Sequence, residues 1–577
     1  SAEAKYQLEQ ASGENRQLYS ADSYYVRNLV NSFTQVTGDN IVRPVPLGAI
    51  LDQTHNELAA HALRGQLNFS QTWGRHQVTA IGGAEVRQDN SRYNSSRAYG
   101  YNPELLTYTN VDLVSTFPFY GGLGNDGAIY NPMQFGQVLN RFVSFYGNGS
   151  YSYDNRYTVS VSARKDESNL FGVNSNQKGV PLWSAGLAWN VAGEGFWHVD
   201  MLPYLKLRLT YGYSGNVDNS RSAYTTIAYQ TTNPYTHVPY ASILNPPNPE
   251  LRWERVGMTN IGLDFGLRGD RITGSVDYYI KKGRDLISPA PVDLTTGFTL
   301  LYINSGKTRG QGLDLQLSSR NLTGAFGWNT TLLFSWNRSK VVDYYNNIST
   351  GSFYVSDGLA VNPVPGRDVY GLYSYRWAGL DGQTGDPQGY LNGQVSKDYS
   401  ALVNNSQLAD LKYNGSAIPV YFGALRNTFS WRGISVSANI SYKLDYFFRR
   451  TSINYTSLFS GWVGNRDYVL RWQQPGDEKR TNVPSMVYPA DADRDQFYTY
   501  SDATIARGDN VRLQDLNIGY QLDRQHQRWL PFKRLQVYMY AANLGIIWRA
   551  NKWNVDPDYG AGIPAARTIS LGLKADL

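Results

Sequence analysis

Apolar and polar residues alternate along many short stretches of the chain. In residues 204–215, YLKLRLTYGYSG, Leu205, Leu207, Leu209, Tyr211 and Tyr213 fall on one side of an extended strand, with Lys206, Arg208, Thr210 and Gly212 on the other. Period two predicts a strand with one apolar and one polar face. The pattern recurs at 156–166 (RYTVSVSARKD), 568–577 (TISLGLKADL) and 433–447 (GISVSANISYKLDYF), where Lys443 and Asp445 fall on the polar side. Similar runs lie near 59–70, 77–87, 141–152, 181–192, 258–267, 271–281, 309–319, 326–337, 422–431, 510–522 and 533–544. About fifteen strands are expected in all, and no amphipathic helix of any length.

The expected connections alternate in length. Short polar turns stand at 73–76 (WGRH), 153–156 (YDNR), 268–271 (RGDR), 322–325 (LTGA) and 431–433 (WRG), where Gly, Asn and Asp supply the positive φ of tight hairpins. Long stretches rich in Asn, Gly, Pro, Tyr and Asp lie at roughly 88–140, 216–257, 282–308, 338–421, 445–509 and 545–566. Such alternation gathers the tight turns at one end of a sheet and the long loops at the other. A sandwich or a propeller has no reason to do that, and no repeat of about 40–50 residues is visible. An outer-membrane β-barrel has short periplasmic turns and long extracellular loops. The expected fold is therefore all-β, a transmembrane antiparallel barrel.

Facing follows from that fold. The Leu–Leu–Leu–Tyr–Tyr side of 205–213 meets lipid and then headgroups, while Lys206, Arg208, Lys443 and Asp445 face a wet lumen. A charge near the lipid midplane would cost roughly 2–4 kcal/mol. In GWNTTLLFSW (327–336), Trp328 and Trp336 share a face about 20 Å apart along the membrane normal, so with Tyr211 and Tyr213 they are candidates for the two aromatic girdles. An odd strand count, read together with strand directions, implies that residues 1–58 are an extracellular loop segment and 59–577 the C-terminal part of a larger barrel. The first strands would be absent.

Composition limits the alternatives. Of 577 residues, 41% are hydrophobic, yet no apolar run reaches the 18 or so residues of a membrane helix. Tyr 45, Trp 14, Phe 21 and Gly 55 favour strands and turns. There is no cysteine, which excludes disulfides and thiol chemistry. The six histidines are scattered without an i,i+4 pair, so no metal site, cofactor or catalytic residue is expected. A net charge of +6 without a long basic run argues against nucleic acid.

Specific words then resemble the SusC/RagA family of TonB-dependent outer-membrane transporters, typical of Bacteroidota. They include DSYYVRNLVNSFTQ (22–35), PLWSAGLAWNVAGEGFW (181–197) and NPPNPELRWERVGMTNIGLDFGLRGDRITGSVDYYIKKGRDLI (245–287). YRWAGLDGQTGDPQGYLNG (375–393), GDNVRLQDLNIGY (508–520) and NLGIIWRANKWNVDPDYG (543–560) follow in family order, so the resemblance spans essentially the whole chain. It implies a complete barrel of about 22 strands with a plugged lumen. It further implies a SusD-like lipoprotein lid, coupling to TonB–ExbB–ExbD through an N-terminal plug region not in this chain, and outer-membrane lipid around the barrel. The implied cargo is a large nutrient, an oligosaccharide first and an oligopeptide second. The final residue, Leu577, departs from the aromatic that usually closes such barrels.

Aromatics in the long loops are the candidates for substrate contact, because their faces stack on sugar rings. They are Tyr99, Tyr101, Tyr120, Tyr354, Tyr390, Trp462 and Tyr498, and the alternative for each is a structural role in its loop. DGQTGDPQG (381–389) loosely resembles a calcium loop through Asp381, Gln383 and Asp386 but lacks the terminal Glu, so a plain turn is favoured. Arg449 and Arg450, in RRTSINY, sit above a strand top as candidates for lipopolysaccharide, lipoprotein or substrate, or as a solvated rim. Two other classes stay open beside the importer. One is a secreted all-β glycoside hydrolase with paired carboxylates, for which spacing selects no pair; the other is an adhesin or passive porin.

Overall fold

The computed structural model describes the chain except residues 123–125, 170–180, 217–222, 231, 232, 234, 235, 237, 346–349, 356–360, 526, 561 and 577. Leu577 thus lies outside the described residues. The chain divides into two compact units, one of residues Ser1–Ser70, Thr79–Gly149 and Ala163–Pro181, the other of Gln71–Val78, Ser150–Ser162 and Leu182–Leu577.

In the first unit, β1 (Ala2–Tyr19) pairs antiparallel with β2 (Ala49–Trp73), from Ala2 opposite Leu67 to Tyr19 opposite Ile50. β3 (His76–Asn102) pairs with β2 and with β4 (Gln134–Tyr153). This corrects two expectations. Residues 1–58 are not a loop, because 2–19 and 49–58 are strand. Helix α1 (Tyr24–Phe33) was not expected at all, though Val26, Val30 and Phe33 recur at helical spacing and are its buried face. Ser23 caps it, its hydroxyl accepting from the Val26 N–H at 3.3 Å. Val45, Ile50, Tyr99 and Ile129 complete the small core beneath the helix.

Beyond β5 (Tyr157–Ser168), the second unit is a nearest-neighbour ladder. Its strands are β6 (Pro181–Asn190), β7 (Tyr204–Asn216), β8 (Glu254–Gly266), β9 (Ile272–Pro291), β10 (Leu300–Leu322), β11 (Phe326–Asp343), β12 (Tyr421–Trp431), β13 (Ile434–Leu444), β14 (Asn510–Asp523), β15 (Arg534–Arg549) and β16 (Thr568–Asp576). Every consecutive pair from β6 to β16 is antiparallel. With β1, the described long strands number sixteen, not fifteen.

Register carries the two faces from strand to strand. Leu207 stands opposite Leu263, Leu263 opposite Val276, and the row continues through Leu315, Phe334 and Gly423 to Tyr442. One position along β7, Arg208 begins a row through Gly262, Asp277, Asp314, Ser335 and Phe422 to Lys443. A slip of one residue in any strand would exchange these faces, so the sequence pattern fixes the pairing. Leu207, Leu209 and Tyr211 are exposed, as are Ile569, Leu571 and Leu573 on β16. A large exposed apolar face built this way is an interaction surface.

Tight turns join β2 to β3, β4 to β5, β8 to β9, β10 to β11 and β12 to β13. In the last, Arg432 (φ 47°) and Gly433 (φ 85°) are both left-handed, as a two-residue hairpin requires. A Cβ at Gly433 would stand 2.6 Å from the Gln521 carbonyl oxygen. At the other end, β9 and β10 run on to Pro291 and from Leu300, so most of 282–308 is extended hairpin rather than loop.

Candidate functional site

The polar rows of the second unit are organised by ion pairs. Arg208 donates to Asp264 at 2.8 and 2.9 Å and to Asp277 at 3.1 Å, and Asn260 donates to Asp277 at 3.0 Å. Gly262 opposite Arg208 makes the room, since a Cβ there would lie 2.7 Å from the guanidinium carbon. Farther round, Arg426 meets Asp515 at 3.3 Å, and Lys443 meets Asp558 at 2.9 Å. Lys206 is half-buried in the same face, opposite Asp264. Asp445 is not on it: β13 ends at Leu444, and Asp445 turns the chain away with φ 60°.

Tyr211 and Tyr213 form an aromatic group with Trp183, at ring separations of 5.7 and 5.9 Å. Trp336 stands at the same end of β11, opposite Tyr421, whereas Trp328 stacks on Phe429 at 5.8 Å near the tight turns. The indole of Trp328 also donates to Asn427 at 3.0 Å.

The described residues of the connections 344–420 and 445–509 fold together on the long-loop side. The hairpin Gly371–Tyr375 with Leu411–Ser416, helix α2 (Tyr399–Asn404) and helix α4 (Ala492–Tyr500) share a core of Tyr354, Tyr373, Tyr375, Leu402, Val403, Leu411 and Phe497. A smaller core of Ile453, Tyr455 and Val483 forms beneath α3 (Tyr455–Gly461). Arg450 is fully buried, pairs with Asp467 and lies 3.7 Å over the Trp553 ring. Arg449 donates to the carbonyls of Tyr373 and Thr499 at 2.7 and 3.2 Å. These arginines therefore fasten loops together and are not a solvated rim. Burial pushes the Tyr375 hydroxyl up to about 12.

Of the seven aromatic candidates, four are interior. Tyr99, Tyr101, Tyr354 and Tyr498 are buried, the Tyr99 hydroxyl donating to the Tyr130 carbonyl at 2.6 Å and Tyr498 sharing a 2.8 Å hydrogen bond with Ser452. Each of these rings is enclosed by its own loops, the structural role that was the alternative for each. Tyr120, Tyr390 and Trp462 are exposed, by 51%, 40% and 86%. Tyr390 lines a cleft of about 950 Å³ with Trp377, Tyr413, Arg367, Arg376 and Lys412. Trp462 lines one of about 490 Å³ with Phe459, Tyr468, Met486 and Tyr488. A third, of about 530 Å³, has Lys443, Arg449 and Asp558 in its wall.

The first of these holds residues that sequence reading passed over. Arg367 lies 4.8 Å from the Tyr413 ring, and Lys412 meets Asp502 at 2.5 Å. Among the described residues, the Tyr373 hydroxyl, buried in its wall, has no hydrogen-bond partner. The Arg376–Trp377 doublet was the available signal, a cation beside an aromatic at the edge of a short strand.

Asp381 is in a plain turn. Its carboxylate accepts from the N–H groups of Gln383 at 2.8 Å and Thr384 at 3.2 Å and pairs with Lys397 at 2.9 Å. Asp386 pairs with Arg494 at 3.1 Å. The Lys397 ammonium and those two N–H groups hold the Asp381 carboxyl at about 2. Among the described residues no group of three metal-ligating side chains gathers, and no helix is long and apolar enough to cross a membrane, which says nothing of a barrel.

Comparison with known proteins agrees with this architecture. The family described as TonB dependent receptor-like, beta-barrel matches residues 4–544. TonB-dependent receptor P3 of Formosa agariphila is 26% identical over 564 residues, covering 88% of this chain and 51% of that protein. TonB-dependent receptor SusC of Bacteroides thetaiotaomicron is 30% identical over 223 residues, 36% of this chain and 22% of its own length. The structure of the RagAB peptide transporter superposes with a TM-score of 0.74 at 18% identity, over 100% of this chain and 59% of that one. The chain spans about half the length of the curated relatives P26 and P3.

Proposed function

Because the chain belongs to the TonB dependent receptor-like β-barrel family of the outer membrane, we propose that it forms the barrel portion of an importer for large nutrients, oligosaccharides foremost. It works beneath a SusD-like lipoprotein and draws energy from TonB–ExbB–ExbD. The Leu207–Phe334 face meets lipid, with Tyr211, Tyr213, Trp328 and Trp336 in its girdles, while Lys206, Arg208 and Lys443 line the aqueous side.

The observation that carries the cargo reading is the cleft with Trp377 and Tyr390. Its volume falls in the range of ligand sites. Aromatic faces suit sugar rings, and Arg367 and Arg376 offer forked donors to hydroxyl or carboxylate oxygens. Binding of oligosaccharides to the detergent-purified receptor, followed by calorimetry, tests this. Trp377→Ala with Tyr390→Ala is expected to weaken binding by on the order of tenfold or more, as truncation of two aromatic contacts does. Unchanged affinity overturns the assignment of the cleft. An oligopeptide is the second reading, favoured by the same arginines as partners for chain-end carboxylates; mass spectrometry of carried-through material that shows peptides and no glycan would select it. Turnover of a glycan by the purified chain would return the hydrolase reading.

A further inference from the structure

Above the aromatic rows, the outward face of β9–β11 turns cationic. Lys282 on β9 stands opposite Arg309 on β10, and Arg309 stands opposite Lys340 on β11. Arg284 follows one step up β9, opposite Arg255. The facing is set by register. Four positions below the three cations lie Tyr278, Leu313 and Trp336, and the ladder between shows no shift. In the other direction the row passes through Gly257 to Tyr213 of the aromatic group. The opposite face at this level holds a single cation, Lys281, beside Gly310 and Ser339, against three in line on the outward face.

Like charges directly opposite one another in a sheet repel, and here three stand in line. The nearby carboxylates are taken by other partners. Asp285 pairs with Arg252 at 2.8 Å and with Arg255, Asp343 pairs with Lys307 at 2.9 Å, and Asp368 receives Arg338 at 2.9 Å together with the Tyr413 hydroxyl. Asp368 is the residue bridged to Lys340 by its backbone, yet its carboxylate is spent on Arg338. Lys282, Arg284, Arg309 and Lys340 are left, among the described residues, without a carboxylate at ion-pairing distance. All four are exposed.

At about 3.3 Å per residue and a tilt near 40°, the cationic row stands roughly 10 Å above the Tyr278–Trp336 row. With those rings at the edge of the hydrocarbon, that height lies within the headgroup layer. We propose that Lys282, Arg309 and Lys340, assisted by Arg284, bind the phosphate groups of an outer-leaflet glycolipid. The site is continuous with the face that meets acyl chains, so the molecule covering the apolar rows presents its headgroup to the cations. Ammonium and guanidinium donors against phosphate oxygens then relieve the repulsion along the row. The inference rests on the outward assignment of this face and is independent of the cargo.

The test uses the full-length receptor purified from outer membranes in mild detergent, with native mass spectrometry and phosphorus analysis of retained lipid. Wild type is expected to carry phosphorylated glycolipid. The Lys282→Gln, Arg309→Gln, Lys340→Gln triple variant is expected to retain it on the order of a hundredfold more weakly. The charge-conserving Lys282→Arg, Arg309→Lys, Lys340→Arg variant is expected to keep it. Rebinding to micelles of diphosphoryl lipid A, but not to the dephosphorylated lipid, would support phosphate as the recognised group. Equal binding of the two lipids, or wild-type retention by the triple glutamine variant, overturns the proposal. Loss of a copurifying protein with lipid unchanged also overturns it, in favour of a protein interface. Heat-modifiable gel migration reports whether the variant barrel is intact. If the triple variant does not fold, Arg309→Gln alone, at the centre of the row, is expected to lose about tenfold. Oligosaccharide binding at the Trp377 cleft should not change in any of these variants, so a failure here leaves the cargo reading untouched.

Discussion

The ladder of β7–β13 and the loop body of 344–420 and 445–509 bury their apolar residues in opposite ways. The ladder exposes Leu207, Leu209 and Tyr211 along one face and leaves solvation of that face to its surroundings. The loop body encloses Tyr375, Leu402 and Phe497 and fastens itself with Arg450–Asp467 and Arg494–Asp386 pairs. One region is an organised surface and the other a small interior. Their mutational responses should therefore differ in kind: lost packing matters in the loop body, misplaced charge in the ladder.

The largest expected effect belongs to the interior. Phe497 is 0% exposed and packs 5.9 Å from Tyr375, 6.1 Å from Tyr399 and 6.3 Å from Trp377. Phe497→Ala should cost about 3–5 kcal/mol, the usual range for deleting a buried phenyl ring. The loss should stay local. Hydrogen exchange is expected to quicken throughout 371–416 and 492–500 while β9 and β10 keep their protection. Uniform loss of protection would show that ladder and loop body are one cooperative unit.

Next come two neighbours on β11. Leu332 and Leu333 are adjacent and chemically identical, yet Leu332 pairs with Leu317 and Leu425 in an apolar row, and Leu333 pairs with Gln316 and Ala424 on the polar side. On the face proposed to meet lipid, Leu332 lies midway between Trp328 and Trp336 in sequence. Leu332→Lys should destabilise the barrel by about 2–4 kcal/mol, read by reversible unfolding in vesicles. Leu333→Lys should stay within about 0.5 kcal/mol of wild type. Equal costs would mean that the faces are misassigned.

The same contrast explains what could be read from the sequence. Every strand of the ladder announced itself, because a face against lipid and a face against water impose period two on Leu205–Tyr213 or Ile434–Leu444. The SusC/RagA resemblance, built on those strands and their joints, is borne out by the family match and by SusC itself. β1 was missed because its apolar period, Ala2, Ala4, Tyr6, Leu8, breaks at Gln10 and the remaining half is polar. The upper parts of β9 and β10 show no clean period for the same reason: there nothing demands that one face be apolar. In the loop body the period vanishes altogether, so Tyr390 on a cleft wall and Tyr498 in an interior read alike. α1 was there to be read, in Val26, Val30 and Phe33, but ten residues inside a long connection make a weak signal against so many strands.

The smallest effect concerns acid. Asp381 sits at about 2 because Lys397 and the N–H groups of Gln383 and Thr384 favour its charged form. A carboxyl depressed on folding stabilises the native state at every pH above its unfolded value, near 3.9. That contribution should fade as pH falls from about 4 toward 2 and be absent below. The pair is partly exposed, with Lys397 at 40%, so screening limits its worth to ~0.2–1 kcal/mol, and salt should shrink it further. Asp381→Asn removes the charge and flattens this part of the pH profile of loop-body stability, followed by proteolysis of 371–416 at neutral and acid pH. A wild-type profile that is already flat across this window would place the turn's stability in its backbone hydrogen bonds instead. The loop body would then be held by its buried pairs and aromatic core, with its exposed charges contributing as little as those of any soluble surface.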